Sequence, residues 1–304
     1  MVLRDTGLRH TAAVALVAVL AGAGVMGGCT GTPTYSGELA FSFLEKQCEF
    51  GPRPPGSDAH EAMRDWLVEV LQGYADEVSV QQFTVLDTGG SEVVLSNVIA
   101  SFRLDARERV LVGAHWDTRW IAERDPDEGN RDRPILGAND GASGVAVLLG
   151  LAAMMADRSP RVGVDLVFFD GEDGGDGGGF DSFCVGSTLF AGRMGDYAPI
   201  YAVVVDMIGD SDLSIPVEVN SMSACPSVVR TVWDAAERVG ATSFTEESGT
   251  AVFDDHIPLI RAGVPSALII DFDYTYWHTI EDTPDKCSPE SLWEVGAVLA
   301  ELVY

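Results

Sequence analysis

Arg109-Val-Leu-Val-Gly-Ala-His115-Trp-Asp117, followed after a loop by Leu136-Gly-Ala-Asn-Asp140-Gly-Ala-Ser-Gly144, decides the architecture. The first piece is a run of aliphatic and β-branched residues, the composition of a buried strand. It stops at His115 and Asp117. The second places Asp140 ahead of Gly-Ala-Ser-Gly and an apolar helix over residues 145–155. Three later segments repeat the arrangement. The run 162–169 leads to Asp170, Glu172 and Asp173; the run 201–205 leads to Asp206; the run 266–270 leads, after a short loop, to Trp277-His278-Thr279. Strands alternating with helices predict a parallel sheet whose carboxyl ends share one edge, where ligands collect. Separate strand ends then bring carboxylates and imidazoles to one point, and that donor set suits a divalent metal, zinc first.

The whole chain sets bounds on this reading. At 304 residues and 46% hydrophobic, it is long and apolar enough for one large α/β domain. A net charge of −28 repels phosphate backbones, so no nucleic-acid partner is expected. Only two of the 19 basic residues are lysines, Lys46 and Lys286, a bias that codon usage or adaptation to high salt would produce.

Arg4 and Arg9 precede an apolar run, 11–25, too short for a comfortable membrane span, and Gly27-Gly28-Cys29 follows. The junction resembles a bacterial lipoprotein signal. The expectation is a signal peptide over 1–28, Cys29 as the lipid-bearing first residue of an exported, membrane-anchored chain, a tether over 29–37 and the folded body over 38–304. A plain secretory signal cleaved nearby is the alternative. Cys48, Cys184, Cys225 and Cys287 remain in the body. They allow three pairings and show no CxxC spacing, so disulfides and buried free thiols both stay open.

Elsewhere, Phe50-Gly-Pro-Arg53-Pro-Pro-Gly56-Ser57 reads as a loop, and Ser57 or Asp58 caps a helix over 59–73. His60, near its start, reads as a capping or solvent-facing residue. Runs 78–85 and 92–102 alternate as a hairpin. The charged stretch 119–133 is either a functional rim or a solvated insertion. Glu172 and Asp173 leave their turn in different directions, so one is free to bind metal and the other to act as a base. The Asp and Gly residues that follow, 173–179, offer a rival calcium loop without an EF-hand pattern. Helices are expected over 183–194 and 227–239, and Ser288 with Pro289 opens the last one. No internal repeat or interdomain linker is visible.

The order His115-x-Asp117, Asp140, Glu172-Asp173, Asp206, His278 resembles the M28 zinc aminopeptidase family over about residues 40–304. Within it, the loop 50–57, Asp254-Asp-His-Ile-Pro258 with Gly263-Val-Pro265, and Trp277-His278-Thr279 are similar to the glutaminyl-peptide cyclotransferase (glutaminyl cyclase) branch. The resemblance implies a single α/β domain with a mostly parallel central β-sheet and helices on both faces. It also implies one zinc on Asp140, Asp173 and His278, with Glu172 as acid/base. Asp206 and Asp254 become hydrogen-bonding partners of Glu172, and Trp277 a wall of the substrate pocket. Many relatives carry Glu-Glu where this chain has Glu172-Asp173. The substrate class is peptide and protein N-termini beginning with Gln. The alternative, a dizinc aminopeptidase, would hold its second metal on His115 and Asp206 with Asp140 shared. A third reading is a non-enzymatic binding protein on the same scaffold. His256 is expected to support the site rather than bind metal.

Overall fold

The computed structural model describes residues 34–304 apart from Asp176 and Gly178. The expected signal peptide and Cys29 lie outside the described residues. The body begins earlier than position 38. Tyr35 is 4% exposed, its hydroxyl donates to the Val147 carbonyl at 2.9 Å, and Ser36 caps helix α1 (Gly37–Cys48). The end of the stretch read as tether therefore belongs to the core, because Tyr35 carries an aromatic ring that buries apolar area.

Helix α2 (Asp58–Gln72), capped by Ser57, precedes β1 (Glu77–Leu86) and β2 (Glu92–Phe102), which pair antiparallel as the expected hairpin. Then come β3 (Arg109–His115), α3 (Ala142–Asp157), β4 (Gly163–Phe169), α4 (Val185–Ala191) and β5 (Tyr201–Asp206). A small sheet of β6 (Ile215–Val217) and β7 (Phe244–Ser248) brackets α5 (Val219–Ala224) and α6 (Pro226–Val239). Helix α7 (His256–Arg261), β8 (Ser266–Ile270) and α8 (Pro289–Val303) complete the chain.

The main sheet has the order β1-β2-β4-β3-β5-β8. Strands β4, β3, β5 and β8 run parallel, and β2 joins β4 antiparallel. The sheet is thus mixed, with a parallel half that carries the site. Alternate residues along each strand serve opposite faces. Val110, Val112 and Ala114 join one core with Leu148 of α3 and Val295 of α8, whereas Leu111, Val167 and Val204 join a second with Phe190 of α4 and Leu259 of α7. Helix α3 is apolar almost all round and its first eleven residues are buried, which fits an element enclosed between sheet and helices. Gly144 is required there: a Cβ would stand 2.8 Å from the Val205 carbonyl oxygen and 2.9 Å from the Ala114 Cβ.

The chain leaves β3 for β4 on one side and returns to β5 on the other. The carboxyl end of β3 is therefore the point where strand order reverses, the place an open α/β sheet leaves a crevice. The expected helix over 183–194 is shorter, since Cys184 adopts a left-handed conformation (φ 55°) ahead of α4 and Gly192 ends it. The small β6–β7 sheet was not expected, its first strand being only three residues long.

Candidate metal centre and active site

Strand β3 delivers His115 into the crevice, and its Nε2 lies 3.1 Å from Asp206 Oδ1 and 3.2 Å from Asp140 Oδ1. Two residues on, Asp117 is fully buried and turns away from the cavity. Its Oδ1 accepts the backbone N–H of Glu172 at 3.1 Å and its Oδ2 that of Asp173 at 3.3 Å. Asp117 thereby fixes the turn after β4 that aims two adjacent carboxylates in different directions. Asp140 sits between Gly137 (φ 63°) and Gly141 (φ 95°), where left-handed backbone bends the chain into α3. Buried Asp282 clamps this turn by accepting Asn139 N–H (2.8 Å), Asp140 N–H (3.1 Å) and the Tyr274 hydroxyl (2.9 Å).

Asp140, Asp173 and His278 present ligand atoms within 4.8 Å of one another, and so do His115, Asp140 and Asp206. Asp140 belongs to both groups: Oδ1 faces His115, and Oδ2 lies 3.6 Å from His278 Nε2. Asp140 Oδ2 and Asp173 Oδ2 are buried with no hydrogen-bond partner among the described residues. Orphaned carboxylate oxygens converging on an imidazole nitrogen are costly unless a cation satisfies them. Two carboxylates and one histidine with the fourth direction open fit a catalytic zinc.

Behind the ligands, His278 Nδ1 meets Glu123 Oε1 at 2.6 Å, and buried Arg119 donates to Glu123 Oε2 (2.7 Å) and Asp173 Oδ1 (3.1 Å). Burial acts to lower the His278 pKa, but Asp173, Glu123 and Asp140 outweigh it and raise the value to about 9. Burial likewise acts to raise Glu123, yet the hydrogen bonds from His278 and Arg119 hold it down at about 2.

Glu172 is 9% exposed at the wall of the same cavity. Burial pushes its carboxyl well above the usual range, and Asp254, Asp173 and Asp255 add to this while His115 opposes it. The like-charge effect is thus secondary to burial. Its hydrogen bond comes from the Cys184 thiol, Sγ to Oε1 3.2 Å. Asp206 is instead engaged by His115, and Asp254 by the backbone N–H of Asp255. The expected hydrogen bonds from Asp206 and Asp254 to Glu172 are not made among the described residues, since two carboxylates bond only through a shared proton; Asp254 acts on Glu172 by like charge instead. Asp254 itself is raised to about 7, by burial first and by Asp206 next.

The cavity measures about 220 Å³. Acids line its floor, and Phe183, Val252, Phe253, Phe272 and Trp277 line its walls. Trp277 packs 4.8 Å from Phe272, with the Arg124 guanidinium 4.1 Å over its ring. His256 lies outside both ligand groups; its Nε2 is 3.3 Å from Glu218 Oε2, a structural pairing. His60 is not solvent-facing. It is buried, 2.8 Å from Asp170 Oδ1, and stacked on Trp116 with centroids 4.2 Å apart. The four body cysteines are free thiols.

A mixed sheet with carboxylates and histidines gathered at its switch point is an arrangement suited to a divalent metal. The chain belongs to Peptidase family M28, whose profile it matches over residues 97–303. It is similar to the crystal structure of Bacteroides thetaiotaomicron glutaminyl cyclase bound to N-acetylhistamine, at 31% identity and a TM-score of 0.87, covering 90% of this chain and 99% of that one. A Zn-dependent exopeptidase from Parabacteroides distasonis superposes with a TM-score of 0.86 at 32% identity, covering 90% of this chain and 99% of that one. In sequence, the glutaminyl-peptide cyclotransferase of Bos taurus is 22% identical over 285 residues, covering 83% of this chain and 77% of the relative.

Proposed function

We propose that this protein is a zinc-dependent glutaminyl-peptide cyclotransferase, converting N-terminal Gln of peptides and proteins to pyroglutamate with release of ammonia. The observation that carries the reading is Glu172, a buried carboxyl of raised proton affinity, in one small aromatic-walled cavity with Asp140, Asp173 and His278. In the reaction the substrate's α-amine nitrogen bonds to its own γ-carboxamide carbon, and the bond from that carbon to the amide nitrogen breaks. Asp140, Asp173 and His278 would hold the zinc, which when bound would supply Lewis acidity to the γ-carbonyl. Glu172 takes the proton that the amine loses and returns it to the departing ammonia. A carboxyl whose proton affinity is raised by burial suits the transfer of a proton in both directions. Asp254 raises the proton affinity of Glu172 by like charge, Asp206 acts in turn on Asp254, and Trp277 forms the surface against which the glutamine side chain folds back.

A second reading is favoured by the group His115, Asp140 and Asp206, which could hold a second metal. In such an aminopeptidase Glu172 would take its proton from water. Two matched peptides decide, one beginning with Gln and the other with Leu, with products read by mass spectrometry. Loss of ammonia from the first supports the cyclase. Free Leu with two bound zincs per chain overturns it, and no product from either supports a binding protein. The substrates are extracytoplasmic N-termini if the chain is exported and lipid-anchored at Cys29, a reading supported by Arg4, Arg9 and the apolar run before Gly27-Gly28. A mature N-terminus without lipid on Cys29 would remove that part.

A further inference from the structure

The stretch between Asp117 and Asp140 divides in two. Most of 126–134 is solvent-exposed, whereas Arg119, Ala122 and Asp125 are buried. The buried half grips the segment that carries His278. Arg124 N–H donates to the His278 carbonyl at 3.2 Å, and Asp125 Oδ2 accepts Ile280 N–H at 3.1 Å. His278 itself is held at φ 56°, a left-handed conformation that a side chain with a Cβ adopts only under constraint. Arg119 and Glu123 then close a continuous path from one ligand to another: Asp173 Oδ1 to Arg119 at 3.1 Å, Arg119 to Glu123 Oε2 at 2.7 Å, and Glu123 Oε1 to His278 Nδ1 at 2.6 Å.

We infer that residues 119–125 are a strap that sets metal affinity, with Arg119 and Glu123 as positioning residues that hold His278 and Asp173 in mutual register. The inference rests on zinc binding by Asp140, Asp173 and His278. Glu123 anchors Nδ1–H, which fixes the tautomer and leaves the Nε2 lone pair facing the two carboxylates. Arg119 donates to Asp173 Oδ1, which also lies 3.4 Å from His278 Nε2, and so holds that carboxylate beside the imidazole, while Oδ2 has no hydrogen-bond partner among the described residues. Neither Arg119 nor Glu123 lies among the described residues that line the cavity. The path ties together ligands that are far apart in sequence, one after β4 and the other after β8.

The test titrates zinc into metal-free protein against a chromophoric chelator and melts the metal-free form in parallel. Glu123→Ala should weaken zinc binding about 10–100-fold; its metal-free melting temperature should fall, because Arg119 and His278 lose a partner, and the melt shows that the variant is still folded when zinc is titrated. Glu123→Gln, which keeps an acceptor for Nδ1–H, should recover much of the loss. Arg119→Met should weaken zinc as well, and the double variant should lose little more than the worse single one, since both act along one path. If Arg119→Met fails to fold, Glu123→Ala decides alone. Wild-type zinc affinity in Glu123→Ala overturns the strap, as does an equal loss in Glu128→Ala on the exposed half. Wild-type affinity in His278→Ala would instead remove the ligand assignment beneath it.

Discussion

Replacing Glu218 with Gln should make stability depend on pH in a way that can be worked out in advance. Glu218 caps α5, and its oxygens accept the backbone N–H groups of Asn220 (2.8 Å), Ser221 (2.6 Å) and Val252 (2.9 Å), with His256 Nε2 at 3.3 Å. Burial alone would raise its pKa, but the adjacent His256 imidazole and then the three backbone donors bring it from the ordinary 4.5 down to about 2. A difference of that size corresponds to on the order of 3 kcal/mol. Between these two values the unfolded chain binds the proton and the native protein does not, so the contribution is complete above pH 4.5 and is lost as pH falls toward 2. Gln keeps one acceptor oxygen but points an NH2 at Ser221 N–H and His256. At neutral pH the variant should therefore be about 3 kcal/mol less stable, a fall in melting temperature of roughly 6–12 °C for a body of this size. The assay is urea unfolding of both proteins in chelator, so that metal linkage does not enter, at about pH 7, pH 5 and pH 3.5. The gap should be nearly the same at pH 7 and pH 5 and narrow by about 1 kcal/mol at pH 3.5. A gap that stays constant down to pH 3.5, or one already absent at pH 7, would refute the reasoning.

Glu172→Gln should lower kcat on a Gln peptide by about 10²–10⁴ while zinc stoichiometry is unchanged, as metal analysis and ammonia release will show; retained turnover would remove Glu172 from the proton path. Dialysis against chelator should abolish ammonia release and lower the melting temperature, and zinc should restore both, because a ligand that binds only the native state stabilises it. Trp277→Ala should raise KM for the Gln peptide more than it lowers kcat, and the reverse split would place Trp277 in the chemistry rather than in the wall. Gly144→Ala should cost roughly 1–3 kcal/mol in urea unfolding, because its new Cβ would stand 2.8 Å from the Val205 oxygen; an unchanged midpoint would mean that α3 can shift.

The legible part of this protein was the part written in local pattern. The β-branched runs became β3, β4, β5 and β8, and the acids and histidines at their ends converge as that topology requires. What stayed hidden depends on partners distant along the chain. His60 looked like a cap because no acid stands near it in sequence, yet Asp170, 110 positions later, lies 2.8 Å away across the sheet edge. Arg53 reads as a loop cation, but it is fully buried and donates to the Leu136 and Gly137 carbonyls. Asp117 was grouped with the ligands because it shares their strand end, and only the geometry shows its oxygens spent on two backbone N–H groups. Asp282, Arg119 and Glu123 carry no local signal, since a charged residue in a polar loop is the ordinary composition of a surface. The stretch 119–133 held both of its readings at once, a supporting half and a solvated half.

Tyr35 has a consequence for reach. Its ring lies against α3 and α8, where a Cβ on Gly150 would come within 2.3 Å of the Tyr35 hydroxyl and one on Gly296 within 2.1 Å of the ring. The chain is thus fastened to the body only six residues after Cys29. Six residues at full extension span about 20 Å. If Cys29 carries the proposed lipid, the catalytic body stays within roughly one small-domain diameter of the bilayer. It could not sweep a wide volume on a long leash.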